Sequence, residues 1–389
     1  MAFEFELSEE EQLIVKTIRE LAASPAGRAH WRERALQNEF PEKLWSALAE
    51  AGFLGTLIPP EHGGAGLGMK EMALLMESMA NEGMALLLMI VSTVMSTIAL
   101  VRHGSEEQKR RYLPGLAKGS TRFCFAITEP NAGSNSFRME TLATPDGDHF
   151  RIRGQKYFIS GVEQAHHILL VTRTTPAREV ADKRAGLSLF IVDTNASGFE
   201  KQVQNTVLNE TEKQWTLFFD DVRVPRSALI GEEGLGHRYL FDLLNPERVA
   251  GAAIAAGLGR YCLGRAVTYA RERRVFNTPI GAHQGLAHPI ALASAHLELA
   301  SLMTRKAAWQ FDRGVPSGAE ANMAKLAAAD AGLEACDIAI ETHGGNGFTR
   351  EFEVMTYWPL IRLIKTAPVS REMILNYIGE HVLGLPRSY

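Results

Sequence analysis

RFCFAIT, residues 122–128, is the stretch on which the fold turns. Before it, apolar residues recur at i, i+3 and i+4 through EEEQLIVKTIRELAAS (9–24) and PEKLWSALAEAGF (41–53), the spacing of amphipathic helices. From it onward come short β-rich runs: HFRIRGQKYFIS (149–160), HHILLVTRT (166–174), LSLFIVDT (187–194) and WTLFFDDVRVP (215–225), divided by polar turns such as PDGD (145–148). After ALIGEEGLG (228–236) the helical period returns and predicts Ala-rich helices over about 247–273, 284–313 and 317–343. The order α, then β, then α gives an α+β chain with an amino-terminal helical domain over 1–120, a middle β-domain over 121–232 and a carboxy-terminal helical domain over 233–389. Punctuation supports these divisions: IPPEHGGAGLG (58–68) is a Pro/Gly loop, and Gly104 followed by SEEQ predicts a capping box of Ser105 with Gln108.

At 389 residues and 46% hydrophobic composition the chain can bury an extensive core. A formal charge of -4 with no long run of one sign offers no field for a nucleic-acid backbone. Cys124, Cys262 and Cys336 are odd in number and lack CxxC spacing, so they read as core packing in a reducing compartment. His166–His167 and His283/His288 lack the helical spacing of shared ligands, so no metal site is expected. MAFEFELSEEEQ (1–12) is acidic and has neither a secretory signal nor transit-peptide bias, which makes the cytoplasm the expected location. The uncharged run MALLLMIVSTVMSTIALV (84–101) approaches membrane-spanning length, but its hydroxyls and its Glu82 and Arg102 flanks fit a helix buried among other helices. Its Ser and Thr residues either line a pocket or bond back to the helix carbonyls. GLGRYCLG (257–264) imitates a dinucleotide fingerprint inside a helical run with no strand before it, so it carries no such meaning.

FAITEPNAGSN (125–135) runs from a strand into a turn of small and polar residues, where main-chain N–H groups and the hydroxyls of Thr128 and Ser134 can serve a planar, hydrogen-bonding ligand. A plain strand-end turn reads the same way on spacing alone. It is followed in order by GQKYFISG (154–161), RRVFNTPIGAHQ (273–284) and ETHGGNGF (341–348). With these four motifs the sequence resembles the acyl-CoA dehydrogenase family along nearly its whole length.

That resemblance implies a middle β-domain of two packed sheets, a carboxy-terminal four-helix domain, a homotetramer and one FAD per subunit. Phe125, Ile127, Thr128, Gly133, Ser134, Phe158, Ser160 and Ser370 match family positions around the flavin, and Ser134 also approaches the CoA arm of the substrate. Arg273, Phe276, Gln284, Glu341, Gly344 and Gly345 match positions that contact the FAD diphosphate and adenine of a neighbouring subunit. Arginine suits a diphosphate, glycine permits close backbone approach, and aromatic residues pack on a ring face. Asn135, Phe158, Asn277 and Glu341 depart from the commoner aspartate, tryptophan, glycine and glutamine, and a carboxylate at 341 repels phosphate.

The family's reaction removes a proton from the α carbon of an acyl-CoA thioester while a hydride leaves the β carbon. Many members carry the base in a YEGT motif, but the matching stretch here is TAPVSREM (366–373), with Pro368 at the base position. A second branch, which includes isovaleryl- and long-chain-type enzymes, carries the base as the glutamate of a Glu-Arg pair on the helix after the β-domain. Glu247–Arg248, inside LLNPERVAGA (243–252), match that pair, with Arg248 on the substrate side. Two local readings stand beside each other: Pro246 kinks a helix and frees Glu247 to face a cavity, or Asn245, Pro246 and Glu247 are a helix first turn. Burial is expected to raise the Glu247 pKa toward neutrality. Pro368 also lacks the N–H that in the family holds the thioester oxygen, leaving Ala367 or Val369 as substitute donors. The implied product is a trans-2-enoyl-CoA of fatty-acid β-oxidation, with an electron-transfer flavoprotein as acceptor; an oxidase, an enoyl-CoA reductase, a lyase or a non-catalytic flavin scaffold are the alternatives.

Overall fold

The computed structural model describes residues 6–209 and 211–387; the first five residues of the acidic amino terminus lie outside it. The first domain holds α1 (Glu9–Ala23), α2 (Arg28–Gln37), α3 (Glu42–Glu50), α4 (Met69–Asn81), α5 (Thr97–His103) and α6 (Glu106–Ala117). The expected capping box opens α6: Ser105 Oγ accepts from the Gln108 N–H, and Gln108 Oε1 accepts from the Ser105 N–H. The start of α4 is capped from far away in sequence, because Asp312 accepts from the N–H groups of Met69 at 2.7 Å and Lys70 at 2.9 Å.

Most of the uncharged run is a buried helix, as its flanks imply, but the helix starts only at Leu87 and its middle stretch, Met89–Ser96, is a π-helix that continues into α5. Its hydroxyls divide two roles. Ser96 Oγ bonds back to the Val91 carbonyl at 2.8 Å, and Ser92 Oγ accepts from the Phe123 N–H at 3.0 Å, where the first strand begins. No described helix is long and apolar enough to cross a membrane.

The middle domain contains β1 (Phe123–Ala126), β2 (Leu142–Asp146), β3 (His149–Ser160), β4 (His167–Arg173), β5 (Leu187–Asp193), β6 (Phe199–Gln204), β7 (Gln214–Pro225) and β8 (Leu229–Ile230). They run in the order β6-β7-β3-β2-β4-β5-β8, with β1 parallel to β4. Strands β2 and β4 meet at one register pair, Leu142 with Arg173, and the path folds there into two packed sheets. Phe150 of β3 faces Phe190 of β5 edge-on at 5.0 Å, among Ile152, Leu170, Val192 and Leu217. Strand β1 alternates between two cores: Cys124 and Ala126 point between the sheets, whereas Phe125 joins the core shared with the helices.

The last domain comprises α7 (Gly236–Glu272), the hairpin β9 (Arg274–Val275) and β10 (Thr278–Pro279), α8 (Gln284–Asp312), α9 (Gly318–His343), α10 (Val354–Thr366) and α11 (Arg371–Tyr377). Helices α7 to α10 form the four-helix body. Helix α7 begins at Gly236, well before the predicted 247, and Pro246 lies inside it. The first-turn reading of Asn245, Pro246 and Glu247 is thereby overturned. Leu240, Leu243, Pro246 and Val249 carry one buried face across the proline, and that packing offsets the hydrogen bond the ring denies to the Asp242 carbonyl. Two glycines of GLGRYCLG serve helix packing: a Cβ at Gly257 would lie 2.4 Å from the Glu77 carbonyl, and one at Gly259 would lie 2.7 Å from Gly332 Cα. All three cysteines are free and buried, and the described residues hold no cluster suited to a metal ion.

Candidate active site

The π-helical segment packs against both β1 and α7, so the exit of β1 and the middle of α7 face one region. Along the β1 exit, Phe125 is buried, Ile127 and Thr128 are half-buried, and Gly133 and Ser134 are exposed on the following turn. Strand β3 reaches this edge through the Tyr157 N–H, which donates to the Thr128 carbonyl at 2.8 Å. Its register with β7 shifts between Lys156 and Ile159, and Phe158 adopts a φ of 56° in that bulge, which turns the ring out to 57% exposure. Ser160 Oγ donates to Gln214 Oε1 at 3.0 Å.

The turn is anchored from below. Lys156 Nζ, fully buried, donates to Glu129 Oε1 and to the Ile127 carbonyl, each at 2.9 Å. Glu129 also accepts from the N–H groups of Glu140 at 2.6 Å and Thr141 at 3.0 Å. Burial pushes the Glu129 carboxyl up, but the Lys156 charge and these donors outweigh it and hold the carboxyl below its ordinary value. Buried Arg173 donates to the carbonyls of Phe137 at 2.5 Å and Met139 at 3.1 Å and so fixes the far end of the same turn.

On the opposite wall, Glu247 lies on α7, partly accessible. Burial raises its carboxyl to about 7 against the opposing charges of Arg248 and Lys325. One turn along, Gly251 opens toward the loop after α10: a Cβ there would lie 4.0 Å from Pro368 Cδ and 3.9 Å from Ile364 Cγ2. Arg248 Nη1 donates to Asn245 Oδ1 at 2.7 Å, and its buried Nε has no protein partner. Ser370 is the N-cap of α11, accepting from the Met373 N–H at 3.3 Å. The Ala367–Pro368 peptide is cis, and the Ala367 N–H donates to the Leu363 carbonyl at 2.8 Å. Of the two substitute donors named from the sequence, Ala367 is thus committed, which leaves Val369.

A second group sits at the far end of α7. Arg273 and Phe276 lie on the hairpin, Gln284 opens α8, and Glu341, Gly344 and Gly345 close α9; all six are exposed, Phe276 to 93%. The Tyr269 hydroxyl accepts from Asn346 Nδ2 at 3.1 Å, tying the glycine turn to the α7 end. Glu247 and Tyr269 are separated by about 33 Å of helix at about 1.5 Å per residue. The structure therefore brings the β1 exit and the Glu247 stretch of α7 to one region, on two sides of the π-helical segment, and holds the hairpin residues well away from it. A Cβ at Gly133, Gly344 or Gly345 would meet nothing within 4 Å, which leaves room for close backbone approach by a ligand. An outward aromatic ring, open glycines and an exposed arginine fit a planar cofactor bearing a diphosphate.

Sequence reasoning missed the buried cations Lys156, Arg173 and Lys325. The signal was present for two of them. Alternation in β3 puts Lys156 on the face of Phe150 and Ile152, and helical period in α9 puts Lys325 among buried Ala321, Ala324 and Ala328.

The chain matches three consecutive family profiles: acyl-CoA dehydrogenase N-terminal domain over residues 8–120, middle domain over 124–222 and C-terminal domain over 234–383. It is 47% identical over 384 residues to the acyl-CoA dehydrogenase FadE12 of Mycobacterium tuberculosis, covering 98% of each chain. Among solved structures, a glutaryl-coenzyme A dehydrogenase in complex with glutaryl-CoA aligns with a TM-score of 0.91 and 29% identity, over 99% of this chain and 98% of that one. An FAD complex of PigA aligns with a TM-score of 0.89 and 25% identity, over 98% and 100% of the chains. These matches define a three-domain oxidoreductase fold. The chain belongs to the acyl-CoA dehydrogenase family.

Proposed function

We propose that this protein is an FAD-dependent acyl-CoA dehydrogenase in which Glu247 takes the α proton of an acyl-CoA thioester and a trans-2-enoyl-CoA is the product. The observation that carries the reading is Glu247 itself: a partly accessible carboxylate on α7, one turn before the Gly251 that meets Pro368, brought by burial to about 7. A base with that affinity is ionised in a large fraction at neutral pH yet binds the abstracted proton firmly. Phe125, Ile127, Thr128, Gly133, Ser134, Phe158, Ser160 and Ser370 hold the flavin end of the cofactor. Bound FAD supplies the hydride acceptor at N5.

The proton moves from the thioester α carbon to a Glu247 oxygen as the β C–H electron pair leaves and the Cα=Cβ bond forms. Negative charge grows on the thioester oxygen during this step. With Pro368 lacking an N–H and the Ala367 N–H committed to Leu363, the Val369 N–H serves that oxygen. Arg248, with its unpartnered Nε, borders the substrate beside the base. The exposed group of Arg273, Phe276, Gln284, Glu341, Gly344 and Gly345 gathers at the far end of α7, which Tyr269 places about 33 Å from Glu247 at about 1.5 Å per residue, and it serves the diphosphate and adenine of a cofactor held by another subunit. The Glu341 carbonyl accepts from the Gly344 N–H and so holds the glycine turn in place at the end of α9. The outward leucines of α8, Leu292, Leu299 and Leu302, suit burial in a homotetramer. An electron-transfer flavoprotein takes up the electrons.

Anaerobic mixing of holoenzyme with acyl-CoA tests the assignment. Glu247→Gln is expected to keep FAD and substrate binding while the rate of flavin bleaching falls about 10²–10⁴-fold; unchanged bleaching would refute it. The loss of the 368 N–H also favours a second reading, a same-fold oxidase or enoyl-CoA reductase. Reoxidation of the bleached enzyme by oxygen rather than by electron-transfer flavoprotein, or bleaching only by external reductant, selects those alternatives.

A further inference from the structure

Lys325, in the middle of α9, is 1% exposed. Its ammonium donates to the Val369 carbonyl at 2.6 Å and to the Lys365 carbonyl at 3.3 Å. Among the described residues no carboxylate lies within ion-pair distance of it; the nearby Asp330 is paired with Lys365 at 2.6 Å and Arg371 at 3.2 Å. Burying an ammonium without a counter-ion is costly, and an apolar residue would fill the same space between helices at less cost. The position of the two carbonyls explains what the cation does there. They flank Thr366, Ala367 and Pro368, so one ammonium bridges both ends of the loop that meets Gly251, one turn along α7 from Glu247.

We propose that Lys325 is a positioning residue for the chemistry at Glu247: it brackets the 365–369 loop through two carbonyls and presents, from the neighbouring helix, a positive charge that favours the ionised base. This rests on Glu247 being the base. The charged and titratable groups facing the pair are few. Glu247 is opposed by Arg248 on its own helix and by Lys325 on α9, while Lys325 faces Arg248, Asp330, Glu247 and Glu372. Arg248 in turn is near Glu247 and Tyr377. Arg248 directs one nitrogen to Asn245, whereas the Lys325 ammonium is held on the loop itself, which couples loop position to the charge of the base. Burial brings Lys325 to about 8, so at neutral pH it is mostly protonated while Glu247 is about half ionised.

The test follows the Glu247 carboxyl band by infrared difference against Glu247→Gln in substrate-free holoenzyme, alongside the pH profile of kcat/KM. Lys325→Met is expected to move the carboxyl midpoint upward by about one pH unit, because it removes a nearby cation. The acid limb of kcat/KM moves with it, and Lys325→Arg returns both to the wild-type position. A Met variant that is less stable and uniformly slower, with an unmoved midpoint, overturns the proposal. If Lys325→Met gives no folded holoenzyme, Lys325→Arg decides alone. Wild type should lose rate above about pH 8 as Lys325 deprotonates, and the Arg variant should lack that limb; a limb that persists in the Arg variant overturns the proposal. Full flavin reduction by Glu247→Gln would instead remove the base assignment, while the infrared midpoint still reports whether Lys325 governs proton affinity at 247.

Discussion

The two sides of the candidate site use the same residue types, a glutamate and a buried lysine, to opposite ends. At the β1 turn the Lys156 ammonium touches Glu129 at 2.9 Å, and the carboxyl is held below its ordinary value. On the α7 and α9 side Lys325 makes its hydrogen bonds to carbonyls and acts on Glu247 from beyond contact, and the carboxyl rises to about 7. Direct pairing makes a carboxylate inert and structural. Distance leaves the burial penalty only partly compensated, which is the condition for a base poised to accept a proton.

The largest effect separating the walls is expected at the structural pair. Lys156→Met leaves Glu129 buried without its cation and should cost about 3–5 kcal/mol, read as a lowered midpoint in denaturant together with loss of FAD. A loss below about 1 kcal/mol would mean that the pair is not the anchor described. No comparable penalty is expected on the other wall from Glu247→Gln, which removes a carboxyl that burial already disfavours.

The pH dependence of stability sharpens the contrast because the two carboxyls act with opposite sign. Glu129 has a lowered folded pKa, so its contribution is present above the unfolded value of 4.5 and lost as pH falls through the folded one. Glu247 is raised: between 4.5 and about 7 the unfolded chain has released its proton and the folded chain has not, so rising pH favours unfolding across that window. Glu247→Gln should therefore gain stability relative to wild type from pH 4.5 to 7. The gain is on the order of 1–3 kcal/mol after allowance for partial solvent access, measured by denaturant titration at each pH. A flat difference would break the contrast.

The smallest effect is expected at the bulge in β3. Phe158→Ala removes an outward ring and should change stability by no more than about 0.5 kcal/mol. Its effect belongs to the cofactor, as weakened FAD retention on gel filtration. A large loss of stability with unchanged FAD content would place the ring in the core instead.

How much of this the sequence made legible depends on how local the signal was. The ranges of α8 and α9, the Ser105 capping box and the burial of the uncharged run were all readable, because periodicity and caps are local. The start of α7 was not, because Pro246 reads as a boundary and only the packing of Leu240 and Leu243 shows the helix running through it. Strands β2 and β6 escaped notice since their polar sequences, LATPD and FEKQVQ, carry little apolar alternation. At the site, Glu247 stood out because the usual position held a proline. Lys156 and Lys325 did not stand out, although both occupy inward positions of their elements; a lysine is read as solvated by habit, and its true partners are carbonyls far along the chain.

The Asp312 cap on α4 has a consequence for synthesis. Met69 and Asp312 are 243 positions apart, so at about 5–20 residues per second the ribosome needs roughly 12–50 s between them. For that interval the first amides of α4 lack their cap, and its methionine-rich face of Met69, Met72, Met76 and Met79 waits on the later helix α7, a surface for a chaperone to hold meanwhile.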